Sequence, residues 1–275
     1  MTVSHERWNS SDYRKSKHDQ RIQLSKPEFN STTWTRTIDP LFFLFPMMAF
    51  IFDIDGTLVD SNELHVDSWD RAFRHFGKEF SRDKLRTQIG KGSDQYIPEF
   101  LTRDEIKRFG KKLDDYRSEL FRKEYLPKVR PFPKVLGLFQ RIRDDNKRIM
   151  LASSGKKKDT KYYIDLLKVD DLIDGYVSGD DADSSKPAPD IFAASLKKLG
   201  NISPADAVTV GDTKFDVEAA GKAGLKTIGL LCGGTSETVL REAGAVAIYN
   251  DPADLLAHYD DQMKRFQSES MCRCT

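Results

Sequence analysis

From residue 148 onward, short runs of β-branched and aliphatic residues alternate with stretches whose apolar positions recur every three or four residues. RIMLASS (148–154), GYVSG (175–179), AVTVGD (207–212), LKTIGLL (225–231) and AVAIY (245–249) have the length and composition of strands. Helical periods fall between or after them, at KYYIDLLKV, PDIFAASLKKLG, FDVEAAGKAG, SETVLREAG and PADLLAHYDD. The apolar run AFIF, ending at Asp53, predicts one more strand ahead of the series. Strands that alternate with helices build βαβ units, so the fold class is α/β, with a doubly wound parallel sheet covered on both faces.

Between residues 60 and 130 the pattern is helical only. Val66, Trp69, Phe73 and Phe76 are spaced three and four apart until Gly77 interrupts them. Thr102 and Glu105 form a capping-box pair ahead of a second stripe, Ile106, Phe109, Leu113, Tyr116 and Leu120. Pro127, Pro131 and Pro133 then return the chain to the α/β pattern. The expected organisation is an α/β core at residues 47–62 and 130–260, a helical insertion at 63–129 and a C-terminal tail at 261–275. Residues 1–46, polar and without a sustained apolar period, read as a flexible N-terminal extension.

The most apolar stretch, LFFLFPMMAFIF (41–52), contains Pro46 and is too short to span a bilayer. The polar residues before it and the lack of a small-residue cleavage site after it argue against a secretory signal. Glu6, Asp12, Asp19 and Glu28 argue against an organelle transit peptide. A formal net charge of +1 gives no electrostatic footprint for nucleic acid. Three cysteines, Cys232, Cys272 and Cys274, form no disulfide framework, and Cys-Arg-Cys lacks further ligands at zinc spacing. The expected setting is cytoplasmic, without nucleic-acid or membrane partners, and the expected state is a monomer or weak homodimer.

The chemistry concentrates at strand ends, where open α/β sheets bind ligands. The first strand ends in Asp53 and Asp55, another in Ser153 and Ser154, and a third in Asp212, with Asp216 four residues later. Lys186 stands between them in SSKPAPD. A carboxylate can attack phosphorus, and a divalent cation must then offset the repulsion between two anions. Asp212 is a suitable oxygen donor for such a cation, Lys186 offers charge to phosphate oxygens, and Ser153 offers a hydroxyl. Two residues along an extended backbone, Asp55 would face the same region as Asp53 and serve as general acid and base. Gly56 permits a positive φ, and Thr57 joins the phosphate-contacting candidates.

Asp53-Ile-Asp-Gly-Thr57, the strand ending in Ser153, the isolated Lys186 and Gly211-Asp-Thr-Lys-Phe-Asp216 resemble, in order, the four motifs of haloacid dehalogenase-like (HAD) hydrolases. The resemblance covers roughly residues 48–250 and points to the phosphoglycolate phosphatase and β-phosphoglucomutase-like branch. It implies Asp53 as nucleophile, Asp55 as acid and base, and Ser153, with Ser154 as the alternative, together with Lys186 as phosphate ligands. It implies Mg²⁺ held by Asp53, the Asp55 backbone carbonyl and Asp212, with Asp216 as a further ligand or a support for bound water. The insertion resembles the family's helical cap, whose loop GKGSD (90–94) would bring Lys91 to the substrate. His65 resembles the cap-hinge histidine of β-phosphoglucomutase-like members, while Asp180, Asp181 and Asp183 read as a solvated turn. The implied activity is Mg²⁺-dependent hydrolysis of a small phosphorylated metabolite, a sugar phosphate or phosphoglycolate, through an aspartyl phosphate. A phosphomutase using the same motifs is the nearest alternative, and a non-catalytic binding protein the more distant one.

Overall fold

The computed structural model describes residues 49–271. The extension read over residues 1–46 and the Cys272/Cys274 pair lie outside the described residues. Eight strands form: β1 (Ala49–Phe52), β2 (Val59–Asp60), β3 (Arg130–Pro131), β4 (Arg148–Ala152), β5 (Gly175–Val177), β6 (Ala207–Gly211), β7 (Lys226–Leu230) and β8 (Ala247–Tyr249). Six of them make one sheet in the order β5-β4-β1-β6-β7-β8, with every neighbouring pair parallel. The chain runs outward from β1 on one side and then crosses to β6 on the other. That reversal opens a crevice at the carboxyl end of β1, the usual ligand position in such sheets.

Side chains along β1 alternate faces, and each face has its own core. Phe50 and Phe52 pack with Ile149, Leu151, Val208 and Val210 beneath the helices Val135–Asp144 and Lys157–Leu167. Ala49 and Ile51 pack with Met150, Ala152, Ile191, Phe192 and Ala219 beneath Asp190–Lys198 and Lys214–Lys222. Fully burying a side chain such as Phe52 stabilises the fold by about 1.5–3 kcal/mol.

Two elements differ from the expectation. Val135–Asp144 is a helix whose Val135, Leu138, Phe139 and Ile142 are buried at helical spacing, in a stretch of the α/β core to which the sequence reading assigned no element. Of the segment expected to be a C-terminal tail, residues 261–271 belong to the helix Tyr259–Met271, which places Tyr259, Met263 and Phe266 in the larger core.

The inserted block joins the core through β2 and β3, an antiparallel pair with Val59 opposite Pro131 and Asp60 opposite Arg130. Its first helix, Asn62–His75, buries Val66, Trp69 and Phe73 in a core of its own with Leu85, Tyr96 and Leu113. Gly77 ends that helix at a φ of +71°, a conformation that suits glycine. Thr102 and Glu105 make both bonds of the capping box, and the chain then continues as helix through residue 125 with wide π turns at Ile106–Gly110 and Phe121–Tyr125.

Candidate active site

Asp53 follows β1 directly, and its backbone N–H donates to Val210 O at 2.9 Å, extending the pairing with β6. The next turn needs Gly56, which has a φ of +77°; a Cβ there would lie 2.3 Å from both Asn62 Nδ2 and Asp212 Oδ2. Thr57, grouped by sequence with the phosphate contacts, is completely buried, and its hydroxyl donates to Asp212 Oδ1 at 2.9 Å. Asn62 Nδ2 donates to Asp212 Oδ2 and to Gly233 O, each at 2.8 Å. Asp212 is therefore fixed from two directions by the turn that follows β1.

The four sequence blocks converge here. Lys186, 1 % exposed, bonds to Asp53, to Asp216 Oδ1 at 2.6 Å and to Ala152 O at 3.1 Å. Asp216 Oδ2 is meanwhile taken by Thr213 in a capping box at the start of Lys214–Lys222, with Thr213 Oγ1 donating at 2.6 Å. Ligand oxygens of Asp53, Asp212 and Asp216 lie within 4.8 Å of one another. Burial, opposed by Lys186 and reinforced by the neighbouring acids, pushes the Asp53 pKa up to about 7. Burial and the charges of Asp216 and Asp53 raise Asp212 in the same sense. Burial alone would depress Lys186, but Asp216 and Asp53 outweigh it and hold the ammonium form. Buried, hard oxygen donors that resist ionising together fit a small divalent cation, which relieves their repulsion. Asp53 and Asp212 are the better-placed ligands, because both Asp216 oxygens already face Thr213 and Lys186.

Asp55 lines the same cavity as Asp53, but its carboxylate lies outside that acidic cluster. Strand β1 ends at Phe52, so the alternation that would aim the two acids together does not extend to Asp55. Asp55 Oδ1 instead accepts from Ser61 Oγ at 2.7 Å and from His65 Nε2 at 2.8 Å. The His65 ring stacks on Phe121 at 4.2 Å, and its Nδ1 faces Arg117 NH2. A guanidinium can only donate, so Nδ1 is the acceptor and Nε2 carries the proton given to Asp55. Burial lowers the His65 pKa, and Arg117 lowers it further, against the pull of Asp55. Burial disfavours the Asp55 anion as well, but His65 and Ser61 outweigh it and bring its pKa down to about 2.

Ser153 and Ser154 follow β4. Ser153 is buried and its Oγ accepts from Gly155 N at 3.0 Å, whereas Ser154 Oγ is buried without a hydrogen-bond partner in the cavity wall. Lys91 reaches the wall, yet its Nζ bonds to Gln88 and Glu99 at 2.7 Å and lies 4.7 Å from the centre of the Phe215 ring. The GKGSD loop nevertheless meets the core closely. Gly92 N donates to Ser185 Oγ at 2.9 Å, and Ser185 N donates to Asp94 Oδ2 at 3.0 Å. A Cβ on Gly90 would come within 2.7 Å of Thr213, and one on Gly92 within 2.6 Å of Ser185. Asp180 and Asp181 are turn-formers: Asp180 accepts from Lys157 N at 2.8 Å, and Asp181 completes a capping box with Ser178. Cys232 backs the site, its thiol donating to Gly56 O at 3.2 Å.

Residues 50–230 match the family described as haloacid dehalogenase-like hydrolase. The chain belongs to the haloacid dehalogenase-like hydrolases. It is 27 % identical over 215 residues to a phosphorylated carbohydrates phosphatase of Thermotoga maritima, covering 76 % of this chain and 97 % of that one. It is 29 % identical over 186 residues to a phosphoglycolate phosphatase of Aquifex aeolicus, covering 66 % and 83 %. A solved hydrolase from Pseudomonas syringae superposes with a TM-score of 0.68 at 29 % identity, covering 78 % of this chain and 98 % of that one.

Within this HAD-like frame, three site residues escaped the sequence reading. Asn62 resembles an ordinary helix-starting residue, and nothing in its neighbourhood announces a partner 150 positions away. Arg117 lies on a helix dense in charge, and only folding sets its guanidinium 4.8 Å from the ring centres of Trp69 and Phe121. Asp159 follows Lys-Lys-Lys and reads as a solvated residue, yet it enters the cavity wall.

Proposed function

We propose that this HAD-like hydrolase is a Mg²⁺-dependent phosphatase that hydrolyses a small phosphomonoester through an aspartyl phosphate on Asp53. The observation that carries this reading is the convergence of Asp53 with Lys186, Asp212 and Asp216 below a cavity that Asp55 also lines. Asp53, Asp212 and the Asp55 backbone carbonyl would hold the cation, with Asp216 set behind them to position Lys186. The bound cation supplies positive charge that keeps the acids ionised and offsets the phosphate's anionic oxygens.

In the first step an Asp53 carboxylate oxygen attacks phosphorus and the bond to the leaving oxygen breaks; Asp55, which takes up a proton from solvent once the substrate's negative charge enters the cavity and offsets His65 and Ser61, gives that proton to the leaving oxygen. In the second step Asp55, held as a carboxylate by Ser61 and His65, takes a proton from water, and water oxygen displaces phosphate from Asp53. Lys186 and Ser153 or Ser154 steady the phosphoryl oxygens. The inserted helices act as the cap, residues 63–129 over a core of 47–62 and 130–260, and they limit water in the closed site. The few cysteines, with no disulfide framework, favour a cytoplasmic setting, and no described helix is long and apolar enough to cross a membrane.

Asp53→Asn should lower turnover of an aryl phosphate in Mg²⁺ by at least about a thousandfold, the scale of losing a nucleophile. Its circular dichroism should remain that of the parent. Near-parental turnover would refute the mechanism. The His65–Asp55 bond is the observation that favours a phosphomutase instead. Glucose 1-phosphate converted to glucose 6-phosphate, rather than to free phosphate, would establish that reading.

A further inference from the structure

Three buried oxygens in the cavity wall have no hydrogen-bond partner among the described residues: Ser154 Oγ, Asp159 Oδ1 and the Tyr163 hydroxyl. Two of them have an evident use. Ser154 stands beside Ser153 at the phosphoryl end, and Asp159 is ion-paired with Arg122 NH1 at 3.7 Å. Tyr163 has neither role. It lies on the helix Lys157–Leu167, 2 % exposed, with its ring in the larger core and its hydroxyl close to the Asp55 carboxylate. Burial, and then the charge of Asp55, keep the proton on that hydroxyl. Both bonds that hold the Asp55 carboxylate go to Oδ1, one from Ser61 and one from His65, which leaves Oδ2 for the proton that moves.

A buried hydroxyl without a partner destabilises a fold, and a phenylalanine ring would fill the same space without that cost. The Tyr163 oxygen therefore has its partner in a liganded state. In a displacement at phosphorus the attacking and leaving oxygens lie roughly in line. The oxygen that departs in the first step and the water that enters in the second thus occupy one place, opposite Asp53 across the phosphorus. Asp55 has to reach that place in both steps, and a hydroxyl beside Asp55 reaches it too. A phenol both gives and takes a hydrogen bond, so it suits either occupant. We propose that Tyr163 is a catalytic residue that hydrogen-bonds the oxygen opposite Asp53, donating to the departing oxygen and then accepting from the incoming water. The proton transferred in each step is the one Asp55 gives or takes, and Tyr163 keeps its own. This role rests on the phosphatase reading.

Tyr163→Phe removes the oxygen and leaves the ring. The variant should melt at or above the temperature of the parent, since the free fold loses no hydrogen bond. Its kcat for an aryl phosphate in Mg²⁺ should fall by at least about tenfold, the scale of one hydrogen bond to a charged group, with KM within about twofold. Orthovanadate, which accepts a fifth oxygen in line with the nucleophile, reads the same contact without turnover. In calorimetry with Mg²⁺ the variant should bind it at least about tenfold more weakly. That weakening, in a parent protein that hydrolyses no aryl phosphate, keeps Tyr163 on the in-line oxygen and refutes the phosphatase reading. A parental kcat, an unchanged vanadate affinity, or a melting temperature several degrees lower overturns the role of Tyr163.

Discussion

Asn62 shows how one amide organises a site. Its Nδ2 holds both Asp212 and Gly233 O, and the loop bearing Gly233 approaches so closely that a Cβ there would lie 1.7 Å from Asp212 Oδ2. Residues that orient a metal ligand are worth about ten- to a hundredfold in affinity. Asn62→Ala should therefore weaken Mg²⁺ binding by at least about tenfold, measured by calorimetry without substrate; unchanged affinity would show that Thr57 alone positions Asp212. Asp53 and Asp212 were legible because a charge that ends an apolar strand has few structural excuses, and Lys186 because it stands alone between proline- and serine-rich neighbours in SSKPAPD. The direction of the Asp55 side chain was not legible, since it depends on where β1 stops and on a histidine ten residues away. The bond from Thr57 to Asp212 was hidden for a related reason: sequence shows a hydroxyl near the acids but not which acid it faces.

At the scale of elements, the GKGSD loop makes one of the inserted block's contacts with the core through backbone and a short acid rather than long side chains. Its two glycines read as helix breakers in the sequence, and the structure gives them a second role as places where Thr213 and Ser185 come into contact. Gly92→Ala puts a methyl group 2.6 Å from Ser185, so one of the two must shift and the Gly92–Ser185 hydrogen bond is lost. The variant should show faster amide exchange across 90–94 and a several-fold lower kcat/KM for an aryl phosphate, with melting temperature within a few degrees of the parent. Parental exchange in this loop would mean that other contacts hold the inserted block to the core. The strands from 148 onward were readable because parallel βαβ units repeat a simple rhythm. The helix Val135–Asp144 was hidden by the prolines before it, and Tyr259–Met271 by a charged surface face that masks three buried positions.

For the molecule as a whole, the acidic cluster makes stability depend on pH in an unusual direction. Asp53 keeps its proton to about pH 7 when folded, whereas the unfolded chain loses it near 3.8. Between those values the folded state binds more protons, so stability falls as pH rises. Asp55 acts oppositely, but its window, from 3.8 down to about 2, lies below that range. Stripped of metal with a chelator, the protein should melt at a higher temperature at pH 5 than at pH 7.5, and Mg²⁺ should flatten or reverse that slope. A metal-free melting temperature that climbs over the same interval would show that these acids ionise freely in the fold.

The ribbon of β2 and β3 has a consequence for how such a protein can change over time. Because Asp60 and Arg130 are paired neighbours, the insertion leaves and re-enters the core at points about one strand spacing apart. The entropy of closing a chain segment grows only with the logarithm of its length, so what is spliced between those points hardly taxes the sheet. The insertion is in effect an exchangeable module: replacing residues 66–129 by a short connection keeps β2 and β3 paired and leaves Ser61, Asn62 and His65, the partners of Asp55 and Asp212, in the chain. The sheet and most of the module can then drift at separate rates, coupled where Ser61, Asn62 and His65 reach across to hold Asp55 and Asp212.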